Sequence, residues 1–209
     1  MLLGTKLTPA AVADMSDDPT APLSGTALRK RISKIAQDRG DDLEKQGVEE
    51  ANGMKEEWGT GVSSLIVIKN MLDVPITFQN DKDYNGHIWK YTYDDEIHPG
   101  QCSVVLHVKT SRVASGSCAT IGYNIPGYDA PYTWWMTWYS VWSGTNSVYS
   151  RPLKTNPWNE TPWADVARHS EAEGKERYKR KTGVITSKGK TSQASSPLVI
   201  FNIYRNDAE

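Results

Sequence analysis

The chain has 209 residues, with 24 Lys and Arg against 25 Asp and Glu and a net charge of -1. That balance excludes the marked basic excess of a typical nucleic-acid-binding protein. A hydrophobic content of 38% and a mean hydropathy of -0.58 allow one core of moderate size, and no run approaches the ~20 apolar residues that span a bilayer.

Residues 1–25 are rich in Pro, Ala, Asp, Ser and Thr without periodicity and read as a loosely ordered arm. No signal peptide is expected there. A helical segment follows over 26–58. Leu28, Ile32 and Ile35, then Leu43, Val48, Ala51 and Met54, recur at three-to-five spacing among Glu, Lys, Arg and Gln. Gly40 interrupts the pattern, which fits two helices or one broken helix.

From 59 to 209 the pattern predicts a β-sandwich domain. The β-branched or alternating stretches 62–69, 74–79, 86–93, 102–109, 117–125, 133–141, 184–187 and 198–204 read as strands between turn signals. Residues 163–181 read as one charged helix with Thr161-Pro162 at its start. The strand lengths and spacing predict a mainly β sandwich or barrel. Cys102 and Cys118 fall in strands, read as small buried thiols, and give no disulfide framework, so a cytoplasmic chain is expected.

The 18 residues YTWWMTWYSVWSGTNSVY over 132–149 hold four of the eight tryptophans. Period-two geometry puts Trp134, Met136 and Trp138 on one face, read as core, and Thr133, Trp135, Thr137 and Tyr139 on the other. That second face is read as amphipathic, with Trp135 and Tyr139 as candidates for exposure. The strand then enters a loop containing Trp142, Ser143, Thr145 and Asn146. Aromatic rings grouped with Ser, Thr and Asn suit a cage for a quaternary ammonium group, a stacking surface for a sugar, or plain core packing.

Catalytic and metal motifs are not evident. His87, His98, His107 and His169 lack the spacing of a metal site, and no nucleophile elbow or P-loop occurs. Each is read as a structural histidine. A thiol enzyme would need Cys102 or Cys118 joined to His107 in a cleft, with an activated thiolate. No catalytic residue, cofactor or metal is expected.

Tyr84 to Tyr91 (YNGHIWKY), Gly100-Gln101, Leu106-His107-Val108, Ala114 to Ser117, Tyr139 to Trp142 and Asn146 to Tyr149 resemble the plant 23 kDa jasmonate-induced proteins. The likeness is strongest over 55–150 and implies a stress-associated protein. The same stretch is similar, more distantly, to the actinoporin-like β-sandwich of pore-forming cytolysins and of nakanori-like lipid binders. That likeness implies a sandwich with an N-terminal helical segment and one helix packed beside the sheets. It also places Val113, Ser140, Trp142 and Tyr149 where actinoporins hold a phosphocholine headgroup, with Asn146 in the connecting loop. Two departures stand out. The stretch 163–181 offers only Trp163 and Tyr178 where actinoporins carry a tyrosine cluster, and 28–57 is too charged to enter hydrocarbon. Pore formation is therefore not expected.

These readings combine into a non-enzymatic, stress-associated binding protein whose first-choice ligand is a lipid headgroup. A lectin-like glycan-binding module and a self-associating protein without a small ligand are the alternatives. Peripheral membrane contact and an oligomer are compatible with the sequence, whereas a spanning segment and nucleic acid are not expected.

Overall fold

The computed structural model describes residues 1–15, 25–112, 115–155 and 163–208. Two sheets pack face to face. Sheet A runs in the order β1 (Leu2–Leu3), β6 (Gln101–Val108), β2 (Ser63–Met71), β12 (Leu198–Arg205), β11 (Ile185–Thr191) and β10 (Arg177–Thr182), with β4 (His87–Ile88) also on β6. Sheet B runs β5 (Glu96–Ile97), β3 (Ile76–Asn85), β7 (Ser117–Ile125), β8 (Tyr132–Ser140) and β9 (Ser147–Lys154). Pairing is antiparallel except between β12 and β2.

All nine residues of β2 are buried because both of its faces are covered. Ile66 and Ile68 enter the inter-sheet core with Phe201, Ile203, Tyr123 and Trp134. Leu65 and Val67 face the other way, against Leu43, Ala51 and Met54 of α3 (Gly40–Trp58). The helical segment is thus two helices, α2 (Gly25–Asp38) and α3, and Gly59 closes α3 at φ 101°. A β-sandwich with an N-terminal helical layer on sheet A and one helix, α4 (Trp163–Glu173), beside sheet B is the architecture expected from the sequence.

Beyond strands that are longer than read (β3 to Asn85, β11 to Thr191) and the added strand β9, three stretches differ in kind from the sequence reading. Residues 1–15, read as part of a loose arm, are tied to the body. β1 pairs with β6, and the short helix α1 (Pro9–Ala13) buries Val12 beside Leu7, Ile32 and Met71. Two or three spaced apolar anchors suffice there, and they leave no periodic signal. In 86–93 only His87–Ile88 is strand, because Lys90 turns the chain at φ 71° and Trp89 packs against the α3 layer. The stretch 163–181 is not one helix. Gly174 ends α4, and Arg177–Thr182 alternates along the edge of sheet A with Tyr178 buried. The cap signal at Thr161-Pro162 lies outside the described residues.

Candidate functional site around the aromatic strand

β8 lies inside sheet B between β7 and β9, and its alternation is that of a strand covered on both faces. Trp134, Met136 and Trp138 are fully buried between the sheets, and Trp134 Nε1 donates to Ser150 Oγ at 2.9 Å. The opposite face is not a wet aromatic platform. Trp135, a candidate for exposure in the sequence, is buried. Its ring lies over Gly122, where an added Cβ would come within 2.5 Å of it, and meets Trp163 of α4 at 5.4 Å. Thr137 is sealed by Thr120 at 2.7 Å and by Ser170 of α4 at 2.9 Å. Tyr139 is half-buried and stacks on Tyr84 at 6.2 Å. Gly122 comes from β7 and Trp163 and Ser170 from α4, so period-two reasoning about β8 alone missed the cover.

The five residues read from the sequence as a ligand site occupy different surroundings. Val113 lies outside the described residues. Ser140 continues the inner face of Trp134, Met136 and Trp138, is buried, and accepts a 2.7 Å hydrogen bond from Ser64 Oγ. Tyr149 pairs across the ladder with Thr137, so it points out of the opposite face of sheet B from Ser140. It is fully buried, with its ring 5.0 Å from that of Tyr178. Ser140 and Tyr149 therefore do not converge on one cavity.

Asn146 is a brace. Its Oδ1 accepts from Val141 N at 3.1 Å, and its Nδ2 donates to Ser192 O and Ala194 O at 2.9 and 2.8 Å. Gln193 adds reciprocal bonds to the Asn146 backbone. The loop so pinned presents Trp142 to solvent. At 61% exposure it is the most exposed large hydrophobic side chain among the described residues. An indole left in water on a braced loop forgoes burial worth about 1.5–3 kcal/mol.

Beside Ser140 a polar seam joins the sheets. His107 of sheet A places Nε2 3.0 Å from Asp83 Oδ1 and Nδ1 2.8 Å from Ser117 Oγ, both on sheet B. Ser117 in turn meets Ser64 at 2.7 Å. The Asp83 carboxylate is the acceptor of the Nε2 contact, and the Ser117 hydroxyl donates to the His107 backbone carbonyl at 3.0 Å. The order Asp–His–Ser matches a hydrolase triad, but His107, Ser117 and Ser64 are fully buried and no substrate carbonyl can reach the hydroxyl. The cysteines offer no nucleophile either. Burial pushes both the Cys102 and Cys118 thiols up to about 11, so each is protonated at neutral pH.

A second feature had no counterpart in the sequence reading. A groove of about 720 Å³ lies between the start of α3 and the outer face of sheet A, lined by residues of β2, β10, β11 and β12. Its signal in the sequence is the i, i+2 recurrence of cations in RYKRKT and SKGK, hidden because the first was read as helix.

A two-layer sandwich faced by an N-terminal helical layer, with a braced aromatic loop at its end, defines the class, and a family model gives it a name. Residues 3–204 match the model of the Nakanori-like protein, and the chain belongs to that family. Its fold is that of the lipid-binding protein Nakanori, whose crystal structure superimposes with a TM-score of 0.86 at 21% identity, covering 98% of this chain and 100% of that one. A 23 kDa jasmonate-induced protein of Hordeum vulgare is 29% identical over 131 residues. That match spans 62% of this chain and 61% of the length of the barley protein.

Proposed function

We infer that this protein is a non-enzymatic lipid-binding protein that meets a membrane surface through the Trp142 loop. The observation that carries the reading is the exposed indole on a loop held rigid by Asn146. Membership of the Nakanori-like family supports it, as does the fold shared with a protein described as lipid-binding. An amphipathic indole suits the boundary between headgroup and acyl chain. A choline headgroup is the proposed ligand, taken beside Trp142 with its quaternary ammonium on the ring face. Buried, protonated cysteines and a sealed Asp83–His107–Ser117 seam speak against hydrolytic chemistry. The likeness to the barley protein supports a stress-hormone association, which predicts that the protein accumulates after jasmonate treatment of the tissue that makes it.

Vesicle co-sedimentation across lipid classes tests the lipid reading. Choline-lipid vesicles are expected to carry the protein down, and Trp142→Ala to weaken binding about tenfold, the loss of ~1.4 kcal/mol of burial. Absence of binding to every choline lipid, or equal binding by Trp142→Ala, overturns it. Saturable binding on a glycan array without vesicle binding would assign the loop to carbohydrate instead.

A further inference from the structure

The groove on the outer face of sheet A collects charge that the chain as a whole does not carry. Five cations line it against two carboxylates, Asp41 and Glu44, while the net charge of the protein is -1. Glu44 is already committed, accepting from Lys69 at 2.7 Å and from Lys190 at 2.6 Å. Burial pushes the Glu44 carboxyl up, yet the two ammoniums outweigh it and hold its pKa below the ordinary range. Lys188 sits over the Tyr204 ring at 4.9 Å. Arg177 and Lys179 line the groove without an ion-pair partner among the described residues.

Strand register makes this placement costly. Arg177 lies directly opposite Lys190 on the neighbouring strand, and Lys179 directly opposite Lys188, all four on one face. Like charges directly opposite destabilise a sheet. The Lys188 row continues through Asn202 to Lys69, which is only 2% exposed. Asn202 Oδ1 is buried there without a hydrogen-bond partner. A solvated sheet face would alternate its signs and leave no amide oxygen unused.

We propose that this groove is a binding site for a group carrying two or more phosphates. Neighbouring strands are about 4.8 Å apart, and alternate residues along a strand about 6.7 Å apart, so Arg177, Lys179, Lys188 and Lys190 mark out a rectangle wider than one phosphate. An anion seated over it cancels the repulsion within both cross-strand pairs. Guanidinium and ammonium groups supply charge-assisted hydrogen bonds to its oxygens. The volume suits a small ligand or a single headgroup. None of the residues lining the groove belongs to the Trp142 loop, and the site does not depend on it.

The chemistry is shared by a phosphoinositide headgroup and a soluble inositol phosphate, and two probes separate them. In calorimetric titration, inositol hexakisphosphate is expected to bind and to weaken steeply with added salt. Lys179→Gln/Lys188→Gln is expected to lower its affinity about tenfold or more. The same double variant is expected to melt at the wild-type temperature or higher, since it removes a repulsive pair. Adding phosphatidylinositol bisphosphate to phosphatidylcholine vesicles then assigns the source. Increased co-sedimentation that the double variant loses points to a lipid, and no increase points to a free polyanion. Trp142→Ala is expected to leave the soluble titration unchanged, so failure of the loop reading and failure of this one are distinguishable. The proposal is overturned if neither phosphate probe binds, if the double variant binds both as well as wild type, or if only duplex nucleic acid binds.

Discussion

Asn146 shows how one side chain can decide what a loop does. It pairs with three backbone groups, two of them on the 192–194 turn, 46 and 48 residues away. Removing it strands buried carbonyls and one N–H, so Asn146→Ala is expected to cost about 1–3 kcal/mol in a urea-unfolding series. Asn146→Asp keeps the acceptor but turns a carboxylate toward two carbonyls, and it is expected to be no more stable than the alanine variant. That Trp142 sits in a loop was legible in the sequence, whereas its exposure was not, because aromatic rings grouped in a loop fit a pocket or a core equally well. The bracing role of Asn146 was not legible either, since an Asn beside aromatic rings reads equally as a ligand contact and its partners lie beyond any local window. Gly122 is a parallel case. Its conformation is ordinary, and its necessity comes from the Trp135 ring lying across it. Gly122→Ala is expected to lose about 1–3 kcal/mol by overpacking, seen as a lower melting temperature; an unchanged value would mean that the indole can move aside.

At the scale of elements, two glycines of α3 separate helix propensity from packing. An Ala in a helix interior gains roughly 0.8–1 kcal/mol over Gly. At Gly53 nothing lies within 4 Å of an added Cβ, so Gly53→Ala is expected to raise stability by about that amount. At Gly47 the added Cβ would lie 2.6 and 3.1 Å from the two methyl carbons of Val67. Val67 is β-branched, fully buried and fixed in a strand covered on both faces, so it has little room to yield. Gly47→Ala is therefore expected to push α3 off sheet A and to lose about 1–2 kcal/mol net despite its propensity gain. Denaturation midpoints of the two variants should move in opposite directions. Helix α3 was legible from its three-to-five spacing, and so were the strands whose alternation runs uninterrupted, such as Ser117–Ile125. The stretch 163–181 failed because Lys, Arg and Glu favour helix in isolation, whereas β10 is held by its ladder with β11 and by the burial of Tyr178. Tertiary pairing overrides propensity of that size.

The whole molecule is a stack in which polar groups cross the layers. Asp83, Ser117 and Ser140 of sheet B meet Ser64 and His107 of sheet A, and Asp73 is enclosed by Arg29, Tyr128 and Arg205. A sandwich was legible from strand length and turn spacing. The seam was not, because its five members sit on five different strands and only the finished topology brings them together. The cysteines were legible as buried thiols, and their burial in the α3 layer and in sheet B has a consequence for the stability of the whole chain. Each thiol is pushed from the ordinary 9.0 up to about 11 by desolvation. The folded state thus keeps both protons where the unfolded chain has begun to lose them. This contribution is fully present below pH 9 and is lost as pH rises from 9 through about 11. Two units correspond to at most about 2–3 kcal/mol per thiol. Unfolding free energy is accordingly expected to be flat from pH 7 to 8.5 and to fall between 9 and 10. Above about 10, buried tyrosines such as Tyr123 and Tyr128, whose phenols are also raised by burial, steepen the decline. A Cys102→Ala/Cys118→Ala variant starts less stable but should lose the fall between 9 and 10 while keeping the steeper one above. If its profile keeps the wild-type slope through that window, the thiols are not what couples this fold to alkaline pH.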